Sequence, residues 1–299
     1  MAAEKKVRIR LDLRYLGTGF HGWASQPGLR TVQGEVEKAL FTLLRVEVAL
    51  TVAGRTDAGV HAAAQVANFD VEPERVERLS REGSFEAGLE SLHGRLNGLL
   101  ARGSQGAGAD VVVTGVQVVS EDFDARFSAL ARHYSYRISD EVATNDPLTA
   151  AAVWWVPARL DVEQMERAGA SLIGEHDFLS FCKPREGATT IRTLTRLEVQ
   201  RTPHGVEVRL SADAFCHSMV RSIVGALVEV GRGRRSAQWL EELVRNPGRE
   251  NAAPIAPAHG LTMMGVDYPS EGEWRAQQGV TRRVRSLVDS REDTPCDCE

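Results

Sequence analysis

Residues 7 to 15 restrict the fold more than any other stretch of the chain. Val7, Ile9, Leu11 and Leu13 alternate with Arg8, Arg10, Asp12 and Arg14. A period of two is that of a β-strand, whose successive side chains point to opposite faces. One face here is apolar and the other strongly charged. The strand therefore belongs to a half-exposed sheet, as antiparallel sheets commonly are.

The segments that follow set the class. Thr31 to Arg45 reads as an amphipathic helix, with Thr31 as its cap and Val32, Val36, Leu40, Leu43 and Leu44 on one face. Val46 to Val52 and Ala62 to Phe69 are apolar and strand-like. Residues 73 to 81 are charged with some helical character, Phe85 to Leu100 reads as a second helix, and Asp110 to Val119 is a β-branched strand. Gly103 to Gly108 reads as a flexible connection. The order strand, helix, strand, strand, helix, strand points to an α+β half and not to a parallel nucleotide-binding sheet.

A second half begins near Ser120. Tyr134, Tyr136 and Ile138 alternate on one face of a strand. Asp161 caps a helix expected to reach about Ile173, with Gln164 at capping-box spacing. Two strands, Thr190 to Arg201 and Gly205 to Phe215, flank a turn. The helix from His217 to Val230 is apolar on nearly every side, so it is buried. Ser236 to Arg245 is a short helix and His259 to Tyr268 a last strand. Beyond Pro269 the chain is polar and aperiodic, and residues 270–299 are expected to be disordered.

Composition enters as bounds. Hydrophobic residues make up 42% and charged residues 26% of 299, ordinary globular values. No apolar run is long enough for a membrane span, and the N-terminus lacks a secretory signal core. Four cysteines do not make a disulfide framework. Cys182 and Cys216 read as reduced core residues, and Cys296 and Cys298, with no second ligand pair nearby, make a poor metal site. These features point to a reducing cytoplasm. The net charge of -5 argues only mildly against a nucleic-acid partner, because the placement of cations decides that.

Two stretches carry chemistry. Gly17, Gly19 and Gly22 match G-x-G-x-x-G after a strand, the pattern of a dinucleotide site. That site needs a helix to open inside the loop, and none starts before Thr31. The second stretch is Gly54-Arg55-Thr56-Asp57-Ala58-Gly59-Val60-His61, a turn between apolar segments. Asp57 and Thr56 either satisfy their own turn backbone or present an acid at the end of a sheet. Arg221, on the buried helix, needs a carboxylate partner. A structural ion pair and a pairing with Asp57 both meet that need. The Tyr134 strand is either core or a stacking platform for a base.

Taken in order, these stretches resemble the TruA family of tRNA pseudouridine synthases. The likeness runs through Tyr15-x-Gly17-Thr18-x-Phe20-x-Gly22-Trp23, Gln33-Gly34, the turn from Gly54 to Ala62, Gln65-Val66 and Phe69. It continues in Phe123 to Ala129, Arg132-x-Tyr134-x-Tyr136, His176-Asp177-Phe178, Phe215-x-x-x-Met219-Val220-Arg221-x-Ile223-Val224-Gly225 and Asp267-Tyr268-Pro269. Departures are Leu16, where an acid is usual, Ala24 in place of glutamine, and Leu99-Leu100 with the glycine-rich loop after the second helix.

The resemblance implies a catalytic nucleophile at Asp57, a uracil-packing Tyr134, an Arg221 paired with Asp57, a pocket-lining Leu261, and an Arg55 that holds the nucleotide out of the stack. It implies isomerisation of uridine to pseudouridine at tRNA positions 38, 39 and 40, in the anticodon stem-loop, by a homodimer that binds tRNA. The reaction calls for no cofactor and no metal. The expected fold is α+β: two similar halves, residues 1–119 and 120–269, each a mainly antiparallel sheet with helices on one face, meeting at a central cleft. A non-catalytic tRNA-binding or tRNA-folding protein on the same fold is the alternative.

Overall fold

The computed structural model describes residues 6–104, 108–183, 189–250 and 252–283. Strand β1 (Val7–Tyr15) is the alternating segment, with Ile9, Leu11, Leu13 and Tyr15 buried. After it come α1 (Val32–Leu44), β2 (Thr51–Val52), β3 (His61–Val71), α2 (Pro73–Glu77), α3 (Phe85–Gly103) and β4 (Val111–Val119). The rest of the chain adds β5 (Ala131–Ser139), β6 (Trp154–Trp155), α4 (Val162–Gly169), β7 (Gly174–Asp177), β8 (Ile191–Thr202), β9 (Gly205–Ala212), α5 (Met219–Gly231), α6 (Ala237–Arg245), β10 (Leu261–Asp267) and α7 (Trp274–Thr281).

All ten strands lie in one sheet, ordered β4-β1-β3-β10-β5-β9-β8-β7, with β2 on β3 and β6 on β5. Among the described residues its pairings are antiparallel except for β3 with β10 and β5 with β6. Strands from residues 1–119 join strands from residues 120–269 at the β3–β10 seam, which is only two residue pairs long: Thr262 beside His61 and Met263 beside Ala62. The mixed α+β class with a mainly antiparallel sheet is as expected.

Side chains at the helix starts fix where each helix begins. The hydroxyls of Thr31, Ser84 and Ser236 and the carboxylate of Asp161 each accept a backbone N–H from the first turn. That satisfies donors a helix otherwise leaves without partners. In the first half α3 lies on β4, where Asn97 bonds both the N–H and the carbonyl of Val113 at 2.9 Å. In the second half α5 is buried nearly throughout and packs against α4.

Four expectations are corrected. Val46 to Leu50 is not strand: Glu37 Oε1 accepts the Leu50 N–H at 2.9 Å, in place of a strand partner. The helix after Asp161 is α-helical only to Gly169 and tightens to a 3₁₀ turn through Leu172. The stretch after Pro269 is not irregular throughout. Glu271–Glu273 and α7 are helical, and Trp274 packs edge-on against Phe123 at 4.9 Å. Cys182 and Cys216, expected as reduced thiols, are joined as a disulfide with Cα atoms 5.7 Å apart, within the span of such a bond. They are neighbours because the segment after β7 runs beside the one before α5, where Lys183 N–H donates to the His217 carbonyl at 3.1 Å. Residues 284–299, with Cys296 and Cys298, lie outside the described residues, as do 105–107 of the glycine-rich loop. Among the described residues no helix is long and apolar enough to cross a membrane, and no cluster of His, Cys, Asp and Glu is arranged to hold a metal ion.

Candidate active site

The turn that carries Asp57 is held from three sides. Its own backbone closes it, with Val60 N–H donating to the Asp57 carbonyl at 3.1 Å. Behind it lies a buried polar network. Tyr15 Oη is 2.8 Å from Thr56 Oγ1, and Gln65 Nε2 donates to the Gly54 carbonyl at 2.8 Å and to Tyr15 Oη at 3.3 Å. Burial pushes the Tyr15 phenol up to about 12, so it stays a neutral hydroxyl. The residues on either side of Arg55 are thus fixed, while Arg55 itself is exposed.

The glycine-rich loop holds the third side. Trp23 N–H donates to the Thr56 carbonyl at 3.0 Å, and Gly59 N–H to the Phe20 carbonyl at 3.3 Å. A Cβ on Gly17 would stand 2.0 Å from the Val60 carbonyl oxygen, and one on Gly22, where φ is +91°, would stand 2.9 Å from the Thr56 carbonyl oxygen. These glycines serve close approach to the Asp57 turn. Only a three-residue 3₁₀ turn, Gly17–Gly19, forms in the loop, and no α-helix opens there, as a pyrophosphate site would require. His61 locks the same corner. Gly17 N–H donates to its Nδ1 at 2.9 Å, so Nε2 carries the proton and faces the Ala151 and His259 carbonyls, each 3.0 Å away. Burial lowers the His61 pKa.

The second half supplies what faces the turn. Arg221, on the first turn of α5, donates from Nη1 to Asp57 Oδ2 at 3.1 Å and from Nε to the Ala256 carbonyl at 2.8 Å. Tyr134 on β5 is buried edge-on against Phe215, ring centres 5.1 Å apart, and burial raises its phenol pKa. Leu261 opens β10 at the seam. All five residues singled out from the sequence, Arg55, Asp57, Tyr134, Arg221 and Leu261, line one cleft of 580 Å³.

The same cleft inverts the charge of the chain. Arg55, Arg126, Arg132, Lys183, Arg192 and Arg221 line it, against the acids Asp57 and Asp124. Arg132 is mainly structural. It is buried and donates to the Ala53, Asp213 and Arg126 carbonyls, tying the strand before the Asp57 turn to the second half. Concentrated positive charge in a concave site suits a polyanion even when the whole chain is acidic.

Two residues at Asp57 were not foreseen. His217 Nε2 lies 3.3 Å from Asp57 Oδ1, and Ser218 Oγ donates to Oδ2 at 3.3 Å. The available signal was spacing. They stand four and three residues before Arg221, the spacing of one helical turn, although α5 itself starts only at Met219 and neither residue is helical.

Known proteins resemble the chain over most of their length. A profile of the tRNA pseudouridine synthase family matches residues 168–269. The tRNA pseudouridine synthase A of Frankia casuarinae is 50% identical, covering 93% of this chain and 96% of its own. That of Leifsonia xyli is 47% identical over 95% and 99% of the two chains, and that of Mycobacterium leprae 44% over 94% and 96%. With Asp57 paired to Arg221 and relatives of this identity matching nearly end to end, the chain belongs to the TruA family of tRNA pseudouridine synthases.

Proposed function

We propose that the chain isomerises uridine to pseudouridine in tRNA, at positions 38, 39 and 40 of the anticodon stem-loop, with Asp57 as the nucleophile. The observation that carries this reading is the Asp57–Arg221 pair in a cation-lined cleft that also holds Tyr134 and Leu261. In the reaction the C1′–N1 bond breaks, the base turns, and a C1′–C5 bond forms. N1 gains a proton and C5 loses one, so the product is an isomer. Asp57 supplies the negative charge at C1′.

The uridine must first leave its stack, at a cost of a few kcal/mol. Stacking on an aromatic ring returns about 1 to 3 kcal/mol per base, so Tyr134 offsets much of that cost. Burial holds the Tyr134 phenol above its ordinary value. This favours a packing role over proton abstraction, since a phenolate is scarce at neutral pH. Leu261 closes the apolar side of the base, and the exposed Arg55 holds the extruded nucleotide by its phosphate. The active form is a homodimer that binds tRNA across both subunits.

Wild type and Asp57→Asn, incubated with unmodified tRNA, test the reading by carbodiimide mapping of pseudouridine. Product at 38, 39 and 40 is expected from wild type with no added cofactor, and none from the variant. An active variant overturns the role of Asp57. tRNA binding by wild type without conversion favours the non-catalytic alternative.

A further inference from the structure

The start of α5 has an unusual backbone. Ser218, its N-cap residue, lies at φ +66°, ψ +5°, in the left-handed region. Among the described residues the only other non-glycine residue at positive φ is Arg45. Arg45 ends α1, where a left-handed residue is a common way to finish a helix. No such reason applies at a helix start. Thr31, Ser84, Asp161 and Ser236 occupy the same position on other helices, and all four are extended and cap with their side chains. Ser218 makes no capping bond. Its hydroxyl donates to Asp57 Oδ2 at 3.3 Å. A serine that gives up its usual task and holds a disfavoured backbone marks a site where the geometry serves something else.

The carboxylate shows what is served. Oδ2 accepts both from Ser218 Oγ and from Arg221 Nη1, donors from the N-cap and the first turn of α5. Oδ1 faces the half-exposed ring of His217, with Nε2 3.3 Å away. Arg221 brings charge to Oδ2. Ser218 brings a second, neutral donor that defines the direction of the carboxylate. We propose that Ser218 is a positioning residue for Asp57: with Arg221 it immobilises Oδ2 and leaves Oδ1 as the oxygen that reacts. The proposal rests on Asp57 being the reacting group.

Ser218→Gly and Ser218→Ala test it beside Asp57→Asn. Both serine variants lose the hydroxyl, but glycine adopts positive φ freely whereas alanine does not. Rates are read as tritium released from tRNA carrying tritium at uridine C5, with kcat and KM separated and thermal midpoints recorded. The expected result is a fall in kcat of about tenfold in both variants, the size of a lost hydrogen bond to a charged group. KM for tRNA should stay within about twofold, and the midpoint of the glycine variant should equal or exceed that of wild type. A glycine variant with wild-type kcat overturns the proposal, because the backbone alone then matters. So does a raised KM at unchanged kcat, which makes the hydroxyl a tRNA contact. An active Asp57→Asn enzyme overturns the reading of Asp57 itself, whatever the serine variants do.

Discussion

Replacing Arg221 with methionine removes a charge from the cleft while keeping the bulk of the side chain. The ion pair spans 3.1 Å, with 20% of the Arg221 side chain and 27% of the Asp57 side chain exposed. Two unit charges at that distance attract by about 1.3 kcal/mol at the permittivity of water and by about 5 kcal/mol at an effective value of 20. Partial exposure of both groups puts the pair between these limits, at about 3 kcal/mol. That energy pins the carboxylate, and an unpinned carboxylate gives up as much to regain the reacting geometry. At 1.36 kcal/mol per decade the loss is about 150-fold in the chemical step. The bond from Nε to the Ala256 carbonyl goes as well, costing about 1 kcal/mol of folding stability. Arg221→Lys keeps the charge, but its single ammonium cannot stand at both the Nη1 and the Nε positions from which the two acceptors are reached, so about a tenfold loss is expected. Single-turnover tritium release, with enzyme in excess over tRNA, reads the chemical step apart from product release. A methionine variant within about threefold of wild type from pH 5 to 8 would refute the reasoning.

Two further outcomes follow from residues around the turn. Gly17→Ala puts a methyl group 2.0 Å from the Val60 carbonyl oxygen. We expect a destabilisation of about 3 kcal/mol in urea unfolding, together with a fall in kcat as the Asp57 turn shifts, and an unchanged midpoint would count against that packing. The pKa of His61 lies below its ordinary 6.5 in the fold through burial, opposed by bonds to the His259 and Ala151 carbonyls and helped by the nearby charges of His259 and Arg137. The unfolded chain then binds a proton here at pH values where the folded chain does not. Stability from neutral His61 is complete above about pH 6.5 and falls as pH drops towards the folded value, at up to about 1.4 kcal/mol per unit. Wild type should lose unfolding free energy more steeply below pH 6.5 than His61→Asn, and parallel curves would exclude the effect.

Local pattern was enough wherever an element buries one face along its length. The alternation of β1, the apolar stripe of α1 and the caps at Thr31 and Asp161 are all visible in order along the chain. Elements with a single anchor were not. α7 has one buried residue, Trp274, whose partner Phe123 is far away in sequence, so no periodicity announces it. Strands β6 and β7 are too short to alternate visibly. In the cleft, residues with an evident need were found: a charge on a buried helix calls for a counter-charge, and Arg221 has Asp57. Ser218 states no such need, because a serine at a helix start reads as a cap, and only the backbone angle reveals otherwise. His61 read as part of a motif, whereas its ring is a bracket between the glycine loop and two distant carbonyls. The Cys182–Cys216 bond depends on two segments running side by side, which spacing along the chain does not convey.

The seam between β3 and β10 also orders events in time. Asp57 precedes its arginine by 164 residues, and β10 comes later still. At about 5 to 20 residues per second, synthesis delivers the acid some 8 to 33 s before the arginine. Through that interval a nascent chain carries the carboxylate but neither strand β10 beside Tyr134 nor the arginine that pairs with the acid. The cleft is complete only when β10 lies beside β3, so one of the later strands of the described chain closes a site that one of the first began.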